Sequence, residues 1–201
     1  MSKLVYGIGV NDADYKVTHR EKIDGKWKTT WICPFYRKWI DRMTLAYSDK
    51  CHAEHPTYIG CSVAPEWHSF MTFRSWMMKQ DWEGMHLDKD ILVPGNKVYG
   101  PETCVFVDQA TNNLLVNHPA KRGEYLIGVS WQKGAGKFEA RVNNGKGKKT
   151  YLGLFSTEEK AHAAYRKSKA AVLRAAAKEQ KDERVKEALL KRADELEVLL
   201  E

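Results

Sequence analysis

No stretch of this sequence approaches the roughly 20 consecutive apolar residues that a membrane-spanning helix requires. Mean hydropathy is −0.57, so no membrane span is expected. Cysteine is scarce, at four in 201 residues (Cys33, Cys51, Cys61, Cys104), and none falls in a CxxC pair. That is too sparse for a disulfide scaffold and points to a reducing compartment. The opening MSKLVYGIGVNDADYK has no long apolar core after Lys3, so a secretory signal is not expected either, and the sparse cysteines make a reducing cytoplasm the expected location. What the chain has in quantity is core-forming material: 43% of its residues are hydrophobic, which excludes a fully disordered chain.

The formal charge of +7 is unevenly distributed. Residues 1–118 carry 14 Lys/Arg and 14 Asp/Glu, residues 119–178 carry 14 and 4, and residues 179–201 carry 5 and 8. The basic character therefore lies in one block of about sixty residues, and an anionic polymer is the first partner to consider beside a merely solvated lysine-rich surface.

Along the first segment, VYGIGVNDADYKV and the Lys-rich turn at Asp24-Gly25 predict short strands or a hairpin. After Pro34, Tyr36, Trp39, Ile40, Met43 and Tyr47 recur at helical spacing, with Pro34 suited to the first turn. A second helix is predicted to follow Pro65 and to bury Trp67, Phe70, Phe73 and Met77. Trp27, Trp31, Trp39, Trp67, Trp76 and Trp82 all fall in this segment, and their expected role is core. CHAEHPTYIGC gathers Cys51, His52, His55 and Cys61, ligand types that suit zinc, but the spacing matches no common finger and Pro56 with Gly60 reads as a loop.

From Leu87 to Leu115 the chain reads as a strand, a Gly-rich turn, a second short strand ending at Val107, and a helix from about Asp108 that carries Asn112 and Asn113. A carboxylate on such a first strand and a side chain on the helix reach one divalent ion from two sides, with water completing its shell. Over roughly residues 80–118 the sequence resembles the HNH, or ββα-metal, nucleases, in particular phage homing endonucleases. Asp88 matches their metal-binding Asp, Asn112 their helical metal ligand, and YGPETC (Tyr99 to Cys104) the loop that introduces their second strand. The resemblance implies phosphodiester hydrolysis with one Mg²⁺ or Mn²⁺ held by Asp88 and Asn112. Two positions depart from it: Lys89 stands where the general-base His is found, and Thr103 where an Asn braces the loop. A lysine is protonated near neutral pH and does not readily activate water, though it can hold a phosphate. His86, placed by alternation on the strand face of Asp88 and Asp90, and Tyr99 are the candidate substitute bases.

The basic block contains three alternating segments, Ile127 to Gln132, Lys137 to Asn143 and Lys149 to Phe155, separated by Gly-rich turns. A helix follows, capped by Ser156 or Thr157, with Glu158 and Glu159 in its first turn and Ala161, Ala164, Tyr165, Ser168 and Ala171 along one side. The middle strand is predicted to turn Phe138, Ala140 and Val142 toward that helix. Lys137, Glu139, Arg141 and Asn143 are left on the open face, joined by Lys149 and Tyr151, with Lys133 in the preceding turn. Long cationic and hydrogen-bonding side chains on an uncovered sheet face suit phosphates and base edges. GVSW, GKFEARV, YLGLF and EEKAHAAYRKSKA resemble the APETALA-type, or ethylene-response-factor, DNA-binding domain, which also occurs fused to phage homing endonucleases. In that family the sheet enters the major groove. Lys149 stands where a contacting Arg is found, Tyr151 replaces a Trp, and Ser130 replaces a contact Arg, so duplex DNA binding is implied without a target sequence.

In the closing segment Val185, Leu189, Ala193, Leu196 and Leu200 form a helical stripe that packs on a neighbour or forms a short coiled coil, one route to a homodimer. The expected fold class is α+β: an HNH-like ββα-metal domain with a helical N-terminal part over 1–118, a three-stranded antiparallel sheet packed on one helix over 122–178, and an amphipathic C-terminal helix over 179–201. The expected function is a DNA endonuclease of phage homing type acting in the bacterial host cytoplasm. The alternatives are a DNA-binding or regulatory protein that keeps the nuclease fold without its base, and a phage protein acting on a host factor.

Overall fold

A computed structural model of the chain describes residues 4–115 and 123–198. Leu200, placed on the helical stripe above, and residue 122, the first of the 122–178 segment, lie outside these. The chain divides into two compact units, Met1–Phe106 and Val107–Glu201, each of which is α+β, and no helix among the described residues is long and apolar enough to cross a membrane.

Unit 1 begins with a hairpin of β1 (Thr18–Ile23) and β2 (Lys26–Ile32). Its two-residue turn places Asp24 and Gly25 at φ 52° and 76°, the left-handed pair that Asp-Gly favours. Helix α1 (Pro34–Tyr47) starts at its proline and buries Trp39, Met43 and Ala46. Then come the short helix α2 (Asp49–Glu54), capped by Ser48, strand β3 (Ser62–Val63), a 3₁₀ turn over Pro65–Trp67, and α3 (Phe70–Met77). The second helix thus begins five residues beyond Pro65, because Ser69 caps it by accepting from Thr72 N at 3.0 Å. Its entry is fixed by Asp12, which accepts from Ser69 Oγ at 2.7 Å and from Met71 N at 2.9 Å. Trp39, Met43, Trp67, Phe70, Phe73 and Met77 form the centre of the core, and the Trp39 indole N–H is satisfied by the Trp67 carbonyl at 2.7 Å.

Two tryptophans depart from the expected core role. Trp27 and Trp31, on β2, are 64% and 44% exposed, because no second layer among the described residues buries the β1–β2 ribbon. The Cys51–Cys61 stretch is spent on α2, a 3₁₀ turn and Gly60, with His52 Nε2 bonded to Leu45 O at 3.0 Å. All four cysteines are free. The unit closes with β4 (His86–Asp88), β5 (Val98–Tyr99), which pairs in parallel with β3, and β6 (Val105–Val107), which pairs with β4 and leads into unit 2.

Unit 2 contains α4 (Gln109–Leu115), whose first turn is capped by Asp108 accepting from Thr111 N at 2.7 Å. Strands β7 (Val129–Gln132), β8 (Lys137–Asn143) and β9 (Lys149–Phe155) form an antiparallel sheet in the order β7-β8-β9. Helix α5 (Glu158–Lys178), capped by Thr157, packs on the sheet, and α6 (Glu183–Val198) packs on α5. The buried side of α5 is Ala161, Tyr165, Lys169, Ala170, Leu173 and Ala177. It is rotated from the predicted stripe, so that Ala171 is exposed and Ala164 and Ser168 are half-buried. Arg174 holds α6 through Glu197 at 2.6 Å and Asp194 at 2.7 Å, while Val185, Leu189 and Ala193 supply the apolar seam.

Candidate nucleic-acid interface and metal site

The sheet of unit 2 has one covered and one open face. Ala140 and Val142 are buried on the side of α5, and Phe138 is half-buried with its ring 4.8 Å from that of Trp131. Pairing across the sheet aligns Ser130 with Glu139, Arg141 with Tyr151 and Asn143 with Lys149. The last two pairs follow a bulge at Ala140/Arg141 that sharpens the local twist. Lys133, Lys137, Arg141, Lys149 and Tyr151 are all exposed.

Glu139 differs from the expectation of an open side chain. It is only 5% exposed, because its carboxylate accepts from Gln132 Nε2 at 2.6 Å and from Arg141 Nε. The Arg141 hydrogen bond, working against desolvation, holds its carboxyl below the usual glutamate range. Glu139 therefore positions Arg141, whose guanidinium also lies 5.9 Å from the centre of the Tyr151 ring. A guanidinium fixed by a carboxylate on one edge keeps its other N–H groups for a ligand and loses less side-chain entropy on binding. Asn143 is committed to its own turn, with Oδ1 accepting from Gly145 N at 2.9 Å. That turn rests on α4: Asn113 Nδ2 donates to Gly145 O at 3.4 Å.

In unit 1 the predicted nuclease residues gather where β4 ends. Asp88 Oδ1 accepts from Asp90 N at 2.7 Å and Ile91 N at 2.8 Å, which turns the chain and ends the strand. Asp90 is therefore not on the strand face of Asp88, as alternation predicted. Its carboxylate instead meets Lys89 Nζ at 2.7 Å. Lys89 is 8% exposed; it also donates to Asn96 O at 2.7 Å and lies 5.8 Å from the Tyr99 ring centre. Its ammonium closes the loop between β4 and β5. Tyr99 is buried, and desolvation raises its pKa above the ordinary tyrosine value, which removes it as a base at neutral pH. His86 is exposed on β4. Thr103 does brace its loop, its Oγ1 donating to Val98 O at 2.8 Å.

Sequence reasoning missed Asn96. Its Nδ2 donates to Lys89 O at 3.0 Å and Val98 O at 2.7 Å, and its Oδ1 accepts from Val98 N at 3.0 Å, so one side chain ties the two ends of the loop. The Pro94-Gly95-Asn96 run was the available signal, since Asn commonly bonds to backbone two residues on. Arg42 was missed as well: Nη1 donates to Leu87 O at 3.2 Å and the guanidinium lies 5.3 Å from the Tyr99 ring centre, supporting β4 from α1. Asn112 lies on α4 and is described with unit 2. Among the described residues no three or more His, Cys, Asp or Glu side chains cluster to hold a metal ion.

No protein family, curated protein or solved structure matches the chain.

Proposed function

We propose that this chain binds duplex DNA through the open face of the β7-β8-β9 sheet and is an endonuclease of phage homing type, working in the bacterial host cytoplasm. The observation that carries the reading is the makeup of that face: exposed Lys137, Arg141 and Lys149, with Arg141 pre-positioned by Glu139, opposite a face covered by α5. Phosphate contacts from such cations dominate affinity, and a fixed guanidinium is the side chain best suited to the acceptor edge of guanine.

A carboxylate is a hard donor of the kind Mg²⁺ and Mn²⁺ take, with water filling much of the shell. Asp88 fits the role because its Oδ1 is already fixed by two backbone N–H groups, which orients the whole carboxylate. In this reading Asp88 is a ligand of the ion, which when bound would supply charge stabilisation at the scissile phosphate. His86 sits two residues from Asp88 on the same strand, where it can accept a proton from attacking water. Lys89 contributes by fixing the β4–β5 loop rather than by touching substrate.

A second reading, a DNA-binding or regulatory protein that does not cut, is favoured by the burial of Lys89 at the position of the general base and by the raised pKa of Tyr99. Incubation of supercoiled and phage-derived DNA with Mg²⁺ or Mn²⁺ separates the two. The endonuclease reading predicts nicked or linear products that vanish in Asp88→Ala and His86→Ala. DNA that is bound but intact with both metals selects the second reading, and DNA neither bound nor cut removes both.

A further inference from the structure

Among the described residues of its own unit, no other strand pairs with the β1–β2 hairpin. Every residue from His19 to Trp31 is exposed, on both faces of the ribbon. Isolated two-stranded hairpins are marginal in water, and this one carries two large aromatic rings into solvent, Trp27 at 64% and Trp31 at 44% exposure. It is anchored where it leaves the core, by Cys33 N donating to Val17 O at 2.8 Å, with both residues buried.

Its charge is arranged by face. The register pairs Lys22 with Trp27 and Arg20 with Thr29, so alternation puts Arg20, Lys22, Trp27 and Thr29 together with no acid among them. The opposite face carries Glu21, Lys26 and Lys28, and the turn residue Asp24 reaches Lys28 at 3.6 Å. Each strand has six or seven residues, about 20 Å at a rise of roughly 3.3 Å per residue. A two-stranded ribbon of this size, exposed on both faces, matches the major groove of B-DNA, roughly 12 Å wide.

We infer that the β1–β2 ribbon is a second DNA-binding element, separate from the sheet of unit 2, with Arg20 and Lys22 on phosphates and Trp27 against sugar or base edges. The occupant is duplex DNA because the face offers cations and an aromatic ring with no carboxylate, complementary to a polyanion with apolar edges in its groove. The inference rests on the DNA-binding reading above, and its test separates the two.

The full chain is titrated with a mixed-sequence 30-base-pair duplex at several salt concentrations, as wild type, Arg20→Gln/Lys22→Gln and Arg141→Gln/Lys149→Gln. Each lost phosphate contact lowers the slope of log K against log salt by about 0.9, so the ribbon variant is expected to be shallower than wild type by about 2. Trp27→Ala is expected to weaken binding with the slope unchanged. Because these side chains are exposed, circular dichroism of each variant should match wild type. A wild type that does not bind overturns both readings. A wild type that binds, with a slope lowered by the sheet variant and untouched by the ribbon variant, overturns the ribbon alone. Unchanged slopes together with loss of self-association in the ribbon variant would reassign the ribbon to a second copy of the chain.

Discussion

Gly145 links the candidate DNA-reading sheet to α4, and replacing it with alanine tests that linkage. The residue sits in the β8–β9 turn at φ +80°, and a Cβ there would lie 2.5 Å from the Ala110 carbonyl oxygen and 2.9 Å from Leu114 Cγ. Two costs follow. The left-handed conformation costs an L-residue roughly 1–2 kcal/mol, and forcing a methyl group into a filled site costs about 1–3 kcal/mol more. The backbone oxygen cannot swing aside as a side-chain end could. Gly147 provides the control, since it has φ +78° but nothing within 4 Å of a Cβ, so Gly147→Ala incurs only the first cost. Urea unfolding of the full chain, followed by far-ultraviolet circular dichroism, measures the difference. With a slope of about 2 kcal/mol/M, Gly145→Ala should lower the midpoint of the unit 2 transition by about 1–2 M, and Gly147→Ala by roughly half as much or less. Equal shifts in the two variants would refute the packing of this turn on α4.

Two further expectations concern side chains that brace loops and helix ends. Asn96→Ala removes three hydrogen bonds at a half-buried site, each worth about 1 kcal/mol at most; a loss of about 2 kcal/mol and faster proteolysis within residues 90–98 are expected, and unchanged proteolysis would contradict the loop-tying role. Lys169, buried on α5, donates to Leu114 O at 2.7 Å, and desolvation lowers its pKa to about 8. Between about pH 8 and the ordinary lysine value of 10.5 the unfolded chain holds this proton while the folded chain has released it, so stability should rise with pH across that window. Urea midpoints at pH 7, 8, 9 and 10 should climb more in wild type than in Lys169→Met, and parallel curves would refute the assignment.

The elements legible in the sequence were those set by local chemistry. Alternation in 137–143 and 149–155, the Asp24-Gly25 turn, Pro34 at the start of α1 and the acids after Thr157 each act within a few residues, and each appears where expected. What could not be read depends on a partner distant in sequence. Trp27 and Trp31 alternate like core residues, but burial needs a second layer, and none among the described residues covers the ribbon. Lys169 and Arg166 look like solvated helix charges, yet they are buried because the carbonyls of Leu114 and Leu196, at the ends of α4 and α6, accept from them. In the candidate site, Asp88, Lys89 and His86 were visible as residue types. That the Asp88 carboxylate would end its strand, and that Lys89 would be spent on Asp90 and Asn96, follows from how the 89–98 loop folds back. Alternation leaves Glu139 on the open face, because the pattern of β8 alone does not reveal that Gln132 of β7 donates to its carboxylate and that Arg141 turns back onto it.

The central claim is that the open sheet face of unit 2 binds duplex DNA, and the most direct measurement is the chemical-shift change of the folded chain on adding a duplex. The largest changes are expected at Lys137, Arg141, Lys149 and Tyr151, with Ala161, Ala170 and Leu173 on the covered side unchanged, and all of them should diminish as salt is raised. Shifts confined to the α5 or α6 surface, or no shifts at low salt, would contradict it.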